Sequence, residues 1–146
     1  MNPTTFYRNY IKPFKNLREV DLPNRVDPAE IRIEKTMFAD DIRLYYWKGK
    51  HIQCKSELEA RYLKVWLKHG LTIIEIPDDE KYLAEIMPIL EKVEKTVYEV
   101  ADEKLAGYRE KTQQQIIDGI FLKVRDEEPA YEATTKGRRK NKLTKS

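Results

Sequence analysis

Three aromatic residues in a row, Tyr45, Tyr46 and Trp47, stand among Arg43, Lys48, Lys50 and Lys55. Rings of this kind stack on bases while neighbouring cations meet phosphate, so this stretch is the first candidate for a binding surface. In a half-buried strand alternate rings pack inward, which leaves only some of them for a partner. A second constellation lies at the other end of the same stretch. A turn at Lys48-Gly49 brings Asp41 close to Gln53 and Lys55, and the last two share a sheet face because they are two residues apart. His51 and His69 are the only histidines, and neither has Cys or His at ligand spacing, so no zinc site is expected. His69 falls at a predicted helix end, where the dipole favours positive charge. No complete catalytic, metal or cofactor motif is present.

The elements that must position these groups follow from the hydrophobic pattern. Ile31 and Ile33 alternate within Glu30 to Lys35, and Ile42 to Trp47 with Lys50 to Cys54 reads as a hairpin. Ser56 and Glu59 form an S-x-x-E capping box, so a helix starts there, carries Leu58, Tyr62, Leu63, Val65, Trp66 and Leu67 inward, and ends at Gly70. Leu71 to Ile76 gives another strand, which could lie parallel to the hairpin. Asp78 or Asp79 then caps a long helix with Leu83, Ile86, Leu90, Val93 and Val97 at helical spacing, and Pro88 predicts a kink or restart near Met87. Past Gly107 a further helix carries Ile116, Ile117, Ile120, Phe121 and Val124. The expected fold is α+β: a small, mostly antiparallel sheet packed on one helix and on a longer helical hairpin.

Residues 1 to 28 hold Pro3, Pro13, Pro23 and Pro28 and read as an irregular arm. The arm's Phe6, Tyr7, Tyr10, Ile11, Phe14, Leu17 and Leu22 are too many for a free linker, so it should pack on its own domain, on a larger partner or on a second copy. Residues 29 to 126 form the domain, and 127 to 146 read as a disordered basic tail. That tail carries Lys136, Arg138, Arg139, Lys140, Lys142 and Lys145. Without those six, 22 of the 28 Lys and Arg remain against 25 Asp and Glu, so the rest of the chain stands at −3. The excess positive charge is thus local, and six cations in a short stretch attract phosphate without a fold. The sole cysteine, Cys54, excludes an internal disulfide, and no stretch is long and apolar enough for a membrane span or secretory signal, so a cytoplasmic location is expected.

Three resemblances bear on chemistry. Pro77-Asp78-Asp79-Glu80-Lys81 carries the letters of the PD-(D/E)xK nuclease signature, but on one helix start rather than on two strands, and capping explains it. The hairpin DIRLYYWKGKHIQCKS resembles the central hairpin of those nucleases in a Q-x-K variant, which would have Asp41 hold magnesium while Lys55 positions the attacking water, with Gln53 between. Residues 20 to 105, with VDLPNRVDPAEIRIEK, KHIQCKSELEARYLKVWLKHG and TIIEIPDDEKYLAEIMPILEKVEK, resemble the C-terminal region of type II restriction–modification adenine-specific DNA methyltransferases. That resemblance implies DNA engagement without methyl transfer, because the NPPY-type motif and a glycine-rich donor loop are missing. It makes a DNA-associated accessory module of a modification or host-defence system the first expectation, with DNA and a larger protein docked on the arm as partners. A magnesium-dependent nuclease and a protein-interaction module without nucleic acid are the alternatives.

Overall fold

A computed structural model describes residues 1–22, 25–37 and 41–127. Helix α1 (Pro3–Phe6) is capped by the Asn2 side chain and continues as a π-helical turn, Tyr7–Ile11. Strand β1 (Leu17–Asp21), a 3-10 turn at Pro28–Glu30, and strands β2 (Arg32–Lys35), β3 (Ile42–Trp47) and β4 (Lys50–Cys54) come next. Helix α2 (Glu57–Lys68), strand β5 (Ile73–Pro77), and helices α3 (Glu80–Lys104) and α4 (Glu110–Leu122) complete the order, before a last 3-10 stretch, Lys123–Glu127. The fold is α+β, as expected.

The strands form two separate antiparallel sheets, β1-β5 and β2-β3-β4. The expectation that the strand after α2 lies parallel to the hairpin is therefore corrected: β5 pairs antiparallel with β1, from Leu17 opposite Pro77 to Asp21 opposite Ile73. Nothing in the local pattern of Leu71 to Ile76 could choose that partner, because the partner lies in the segment where the prolines mask the strand.

The arm is likewise not irregular. Pro3 sits in the first helical turn, where its missing N–H costs nothing, and Pro13 falls after the π-helical turn has ended. Phe6, Tyr7, Ile11 and Leu22 are buried in the same core as Leu44, Trp66, Leu90 and Phe121, so of the three destinations open to the arm its own domain takes these side chains. A larger protein docking on the arm would meet its partly exposed residues, such as Tyr10, Phe14 and Leu17, instead. Polar ties hold the segment: Tyr7 donates its hydroxyl to Glu75, Tyr82 donates to the Tyr10 carbonyl at 2.6 Å, and Phe14 stacks on Tyr82 with centroids 4.1 Å apart.

Capping fixes the helix starts. Ser56 Oγ accepts from Glu59 N at 3.1 Å at the head of α2, and Asp79 Oδ1 accepts from Tyr82 N at 3.0 Å at the head of α3, so the nuclease-like letters at Pro77 to Lys81 do cap a helix. Helix α3 runs through Pro88 without restarting. The carbonyl that Pro88 leaves without a partner belongs to exposed Ala84, where water can replace the lost bond. Among the described residues no helix is long and apolar enough to cross a membrane.

His69 is fully buried at the end of α2, and its ring links three helices. Nδ1 lies 2.8 Å from Asp118 Oδ1 on α4 and Nε2 lies 2.8 Å from Glu94 Oε2 on α3, while Phe121 stacks on the ring at 3.9 Å. Helix-end electrostatics alone accounts for none of this: the ring is a cross-brace. Burial works to raise the Glu94 carboxyl, but the bond to His69 and the charges of Lys68 and His69 outweigh it and hold the group below its ordinary value of 4.5. Its contribution to stability is thus complete above about 4.5 and is lost as pH falls through the lower folded value. Acid titration followed by circular dichroism should show the helices loosening below that point, and a Glu94→Gln variant should lose part of this pH dependence.

Candidate nucleic-acid interface

The pleat of β2-β3-β4 sorts the aromatic stretch into two faces. Ile42, Leu44 and Tyr46 point inward and are buried, whereas Arg43, Tyr45 and Trp47 lie on the opposite face and are only partly covered. Cross-strand register sets Arg43 opposite Gln53, Tyr45 opposite His51 and Trp47 opposite Lys50 on β4, and Arg32 opposite Tyr45 and Glu34 opposite Arg43 on β2. The outer face therefore reads Arg32, Glu34, Arg43, Tyr45, Trp47, His51 and Gln53; Lys50, next to His51 on β4, comes to the Trp47 ring at the hairpin end through a register irregularity between Tyr45 and Trp47.

Cations crowd its rings. The Arg32 guanidinium lies 4.0 Å above the Tyr45 centroid. Around Trp47 stand Lys48 Nζ at 5.0 Å, Lys50 Nζ at 5.3 Å and the Arg25 guanidinium carbon at 5.5 Å. Arg32 and Arg43 are compensated, Arg32 Nε by Glu34 at 3.2 Å and Arg43 Nη2 by Asp41 at 2.9 Å. Among the described residues no carboxylate lies within ion-pair distance of the side chains of Arg25, Lys48 or Lys50, so three cations without an ion-pair partner there surround one tryptophan.

The turn that carries two of these residues is strained. Lys48 adopts φ 43° and Gly49 φ 76°, the left-handed pair that matches a two-residue hairpin turn to the strand twist. Glycine takes that conformation freely, but lysine does so at a cost of about 1 kcal/mol or more. The backbone N–H of Lys48 donates to both oxygens of Glu30, at 3.2 and 3.3 Å, which holds the turn in place. Asparagine tolerates left-handed backbone, so Lys48→Asn is expected to raise the thermal midpoint, by a few degrees, while weakening any anion bound at Trp47. Thermal denaturation and a binding titration on the same preparation check both halves.

The second constellation is drawn together only in part. Gln53 Nε2 donates to Asp41 Oδ1 at 2.5 Å and Arg43 Nε donates to Asp41 Oδ2 at 3.1 Å, so both carboxylate oxygens face protein donors. Those bonds from Gln53 and Arg43 pull the Asp41 carboxyl below the usual carboxylate range. Lys55 turns away: its Nζ donates to Asp78 Oδ1 at 3.0 Å, which lowers the Asp78 carboxyl too. A cation-binding carboxylate needs lone pairs free of a guanidinium, and a water-positioning lysine needs to face that carboxylate. Neither holds at Asp41 and Lys55. Among the described residues no three His, Cys, Asp or Glu side chains gather as metal ligands do; Asp40 lies outside them. Buried Cys54 has its thiol pushed up to about 12 by desolvation, with the Glu59 charge adding to it, which makes it an inert packing residue.

Of the cations read from sequence as binding groups, Arg43 lies on the outer face, Lys48 and Lys50 reach the Trp47 ring from the hairpin end, and Lys55 does not join them; Lys136, Arg138, Arg139, Lys140, Lys142 and Lys145 lie outside the described residues. Sequence reasoning missed Arg32 and Arg25. Arg32 was within reach, because it alternates with Ile31 and Ile33 and so must face away from the core. Arg25 reaches Trp47 from a connecting segment and has no such signal.

A scan against protein-family models finds no match to this chain, and searches of curated proteins and of solved structures return no significant match.

Proposed function

We propose that the chain is a non-enzymatic module that works with DNA, an accessory or recognition piece of a DNA-modification or host-defence system. The observation that carries the DNA part is Trp47 on the outer face of a sheet, surrounded by Arg25, Lys48 and Lys50, whose side chains make no ion pair among the described residues. Side chains that only cover a sheet gain nothing from an uncompensated cluster, because the three like charges repel; a polyanion converts that repulsion into affinity. The type of system rests on the resemblance of residues 20 to 105 to methyltransferase C-terminal regions. The six cations from Lys136 to Lys145 add attraction that is indifferent to sequence.

Fluorescence anisotropy of a labelled duplex at several salt concentrations tests the reading. The full chain should bind more tightly as salt falls, with the logarithmic slope growing by about 0.9 for each phosphate neutralised. A truncation ending at Thr135 should weaken binding to all sequences alike, and Lys48→Glu with Lys50→Glu should lower both affinity and slope further. Absence of binding by the full chain at low salt to duplex and to single strand alike overturns the reading.

A further inference from the structure

We infer that the ligand of the outer face is an unpaired strand of nucleic acid, held by its bases on Trp47 and by its phosphates on Arg25, Lys48 and Lys50. This deepens the proposed function and rests on it. The geometry of the rings favours an unpaired strand over a duplex. In a duplex the flat faces of the bases are covered by their neighbours, and side chains reach only the edges in the grooves. Trp47 is partly buried on the face of a three-stranded sheet with Lys48, Lys50 and Arg25 within 5.5 Å of its ring, so a base stacks on it only if it has left its own stack and these side chains swing from the ring to its phosphates.

Spacing gives the same answer. Tyr45 and Trp47 are two residues apart on β3, roughly 7 Å by the rise of a strand. That is about twice the 3.4 Å between successive bases along one strand of a duplex, so the two positions match either alternate bases of a stack or neighbours on an extended strand, and only the extended strand leaves those base faces free. Tyr45 is not itself open, because Arg32 lies over it at 4.0 Å. A guanidinium is planar, however, and Arg32 held on Tyr45 presents its own outer plane as a second stacking surface. The cations belong to the same design: Lys48 and Lys50 flank the turn, Arg25 closes the third side, and a base on Trp47 would place its phosphate among them.

Trp66 is buried in the core, so Trp47 is the tryptophan a bound base can quench. The test compares an oligothymidylate of about twenty nucleotides with a duplex of equal length, read by anisotropy at one salt concentration and by tryptophan emission. The expected result is single-strand affinity about tenfold above duplex affinity, with quenching on the single strand alone. Trp47→Leu should cut single-strand affinity about tenfold and leave duplex affinity within about twofold. Trp47→Phe keeps a ring and should retain most of the preference, which separates stacking from loss of structure at the turn. Equal affinity for the two forms, or a preference that survives Trp47→Leu, overturns the single-strand assignment and leaves the proposed function standing; binding of neither form ends both.

Discussion

Replacing His69 with leucine should cost about 3 kcal/mol of folding stability, although leucine suits a fully buried site better than an imidazole does. The reason lies in what remains. Asp118 and Glu94 each place a carboxylate oxygen 2.8 Å from a ring nitrogen, and their side chains are 31% and 19% exposed, so water reaches them only in part. Stripping a buried acceptor of its hydrogen-bond partner costs about 1–3 kcal/mol, and more where it is charged; two carboxylates lose one at once, and their partial exposure keeps the sum at about 3 kcal/mol. Gln114 Nε2 donates to Asp118 at 2.9 Å and Lys68 lies 3.2 Å from Glu94, so each retains one donor. Urea denaturation should therefore show a lower midpoint with an unchanged slope. Adding Glu94→Gln and Asp118→Asn to His69→Leu should recover part of the loss, since the stranded charges are then gone. A midpoint unchanged by His69→Leu would mean that the brace carries no net stability.

Phe6→Ala should be as damaging, at about 3–5 kcal/mol, the usual range for emptying a buried phenylalanine site. Phe6 has no exposed surface and lies 5.3 Å from the Tyr10 ring and 6.2 Å from the Trp66 ring, centroid to centroid. An irregular arm resting loosely on a finished domain would lose almost nothing on this change. The same urea experiment separates the two, and a near-zero effect would return the first 22 residues to the status of an appendage.

Helices α2 and α3 were legible because each start carries its cap and each inner face its period: Ser56 with Glu59, Asp79, and the leucine and valine stripe of α3 are local signals for local structure. The hairpin was legible for the same reason, through Lys48-Gly49 and the alternation on β3. What stayed hidden was long-range. Strand β1 finds its partner β5 more than fifty residues on, and the prolines around it imitate a linker. The brace at His69 joins residues 25 and 49 positions apart, a relation that no window of sequence contains. The binding face fell between these cases. Its rings and three of its cations sit on one hairpin, but Arg32 depends on strand pairing and Arg25 on how a connecting segment folds back. Lys55 shows the reverse error, a cation near the rings in sequence that tertiary structure commits to Asp78.

Two predictions above test the scaffold; the surface is tested most directly by nuclear magnetic resonance. Amide shifts of the full chain, followed as oligothymidylate is added, should move most at Arg32 and from Arg43 to Lys50, with Arg25 and His51 beside them, while α3 and α4 stay nearly still. Movement confined to residues beyond Thr135, or centred on α3 and α4, would contradict a nucleic-acid interface on the outer face of β2-β3-β4.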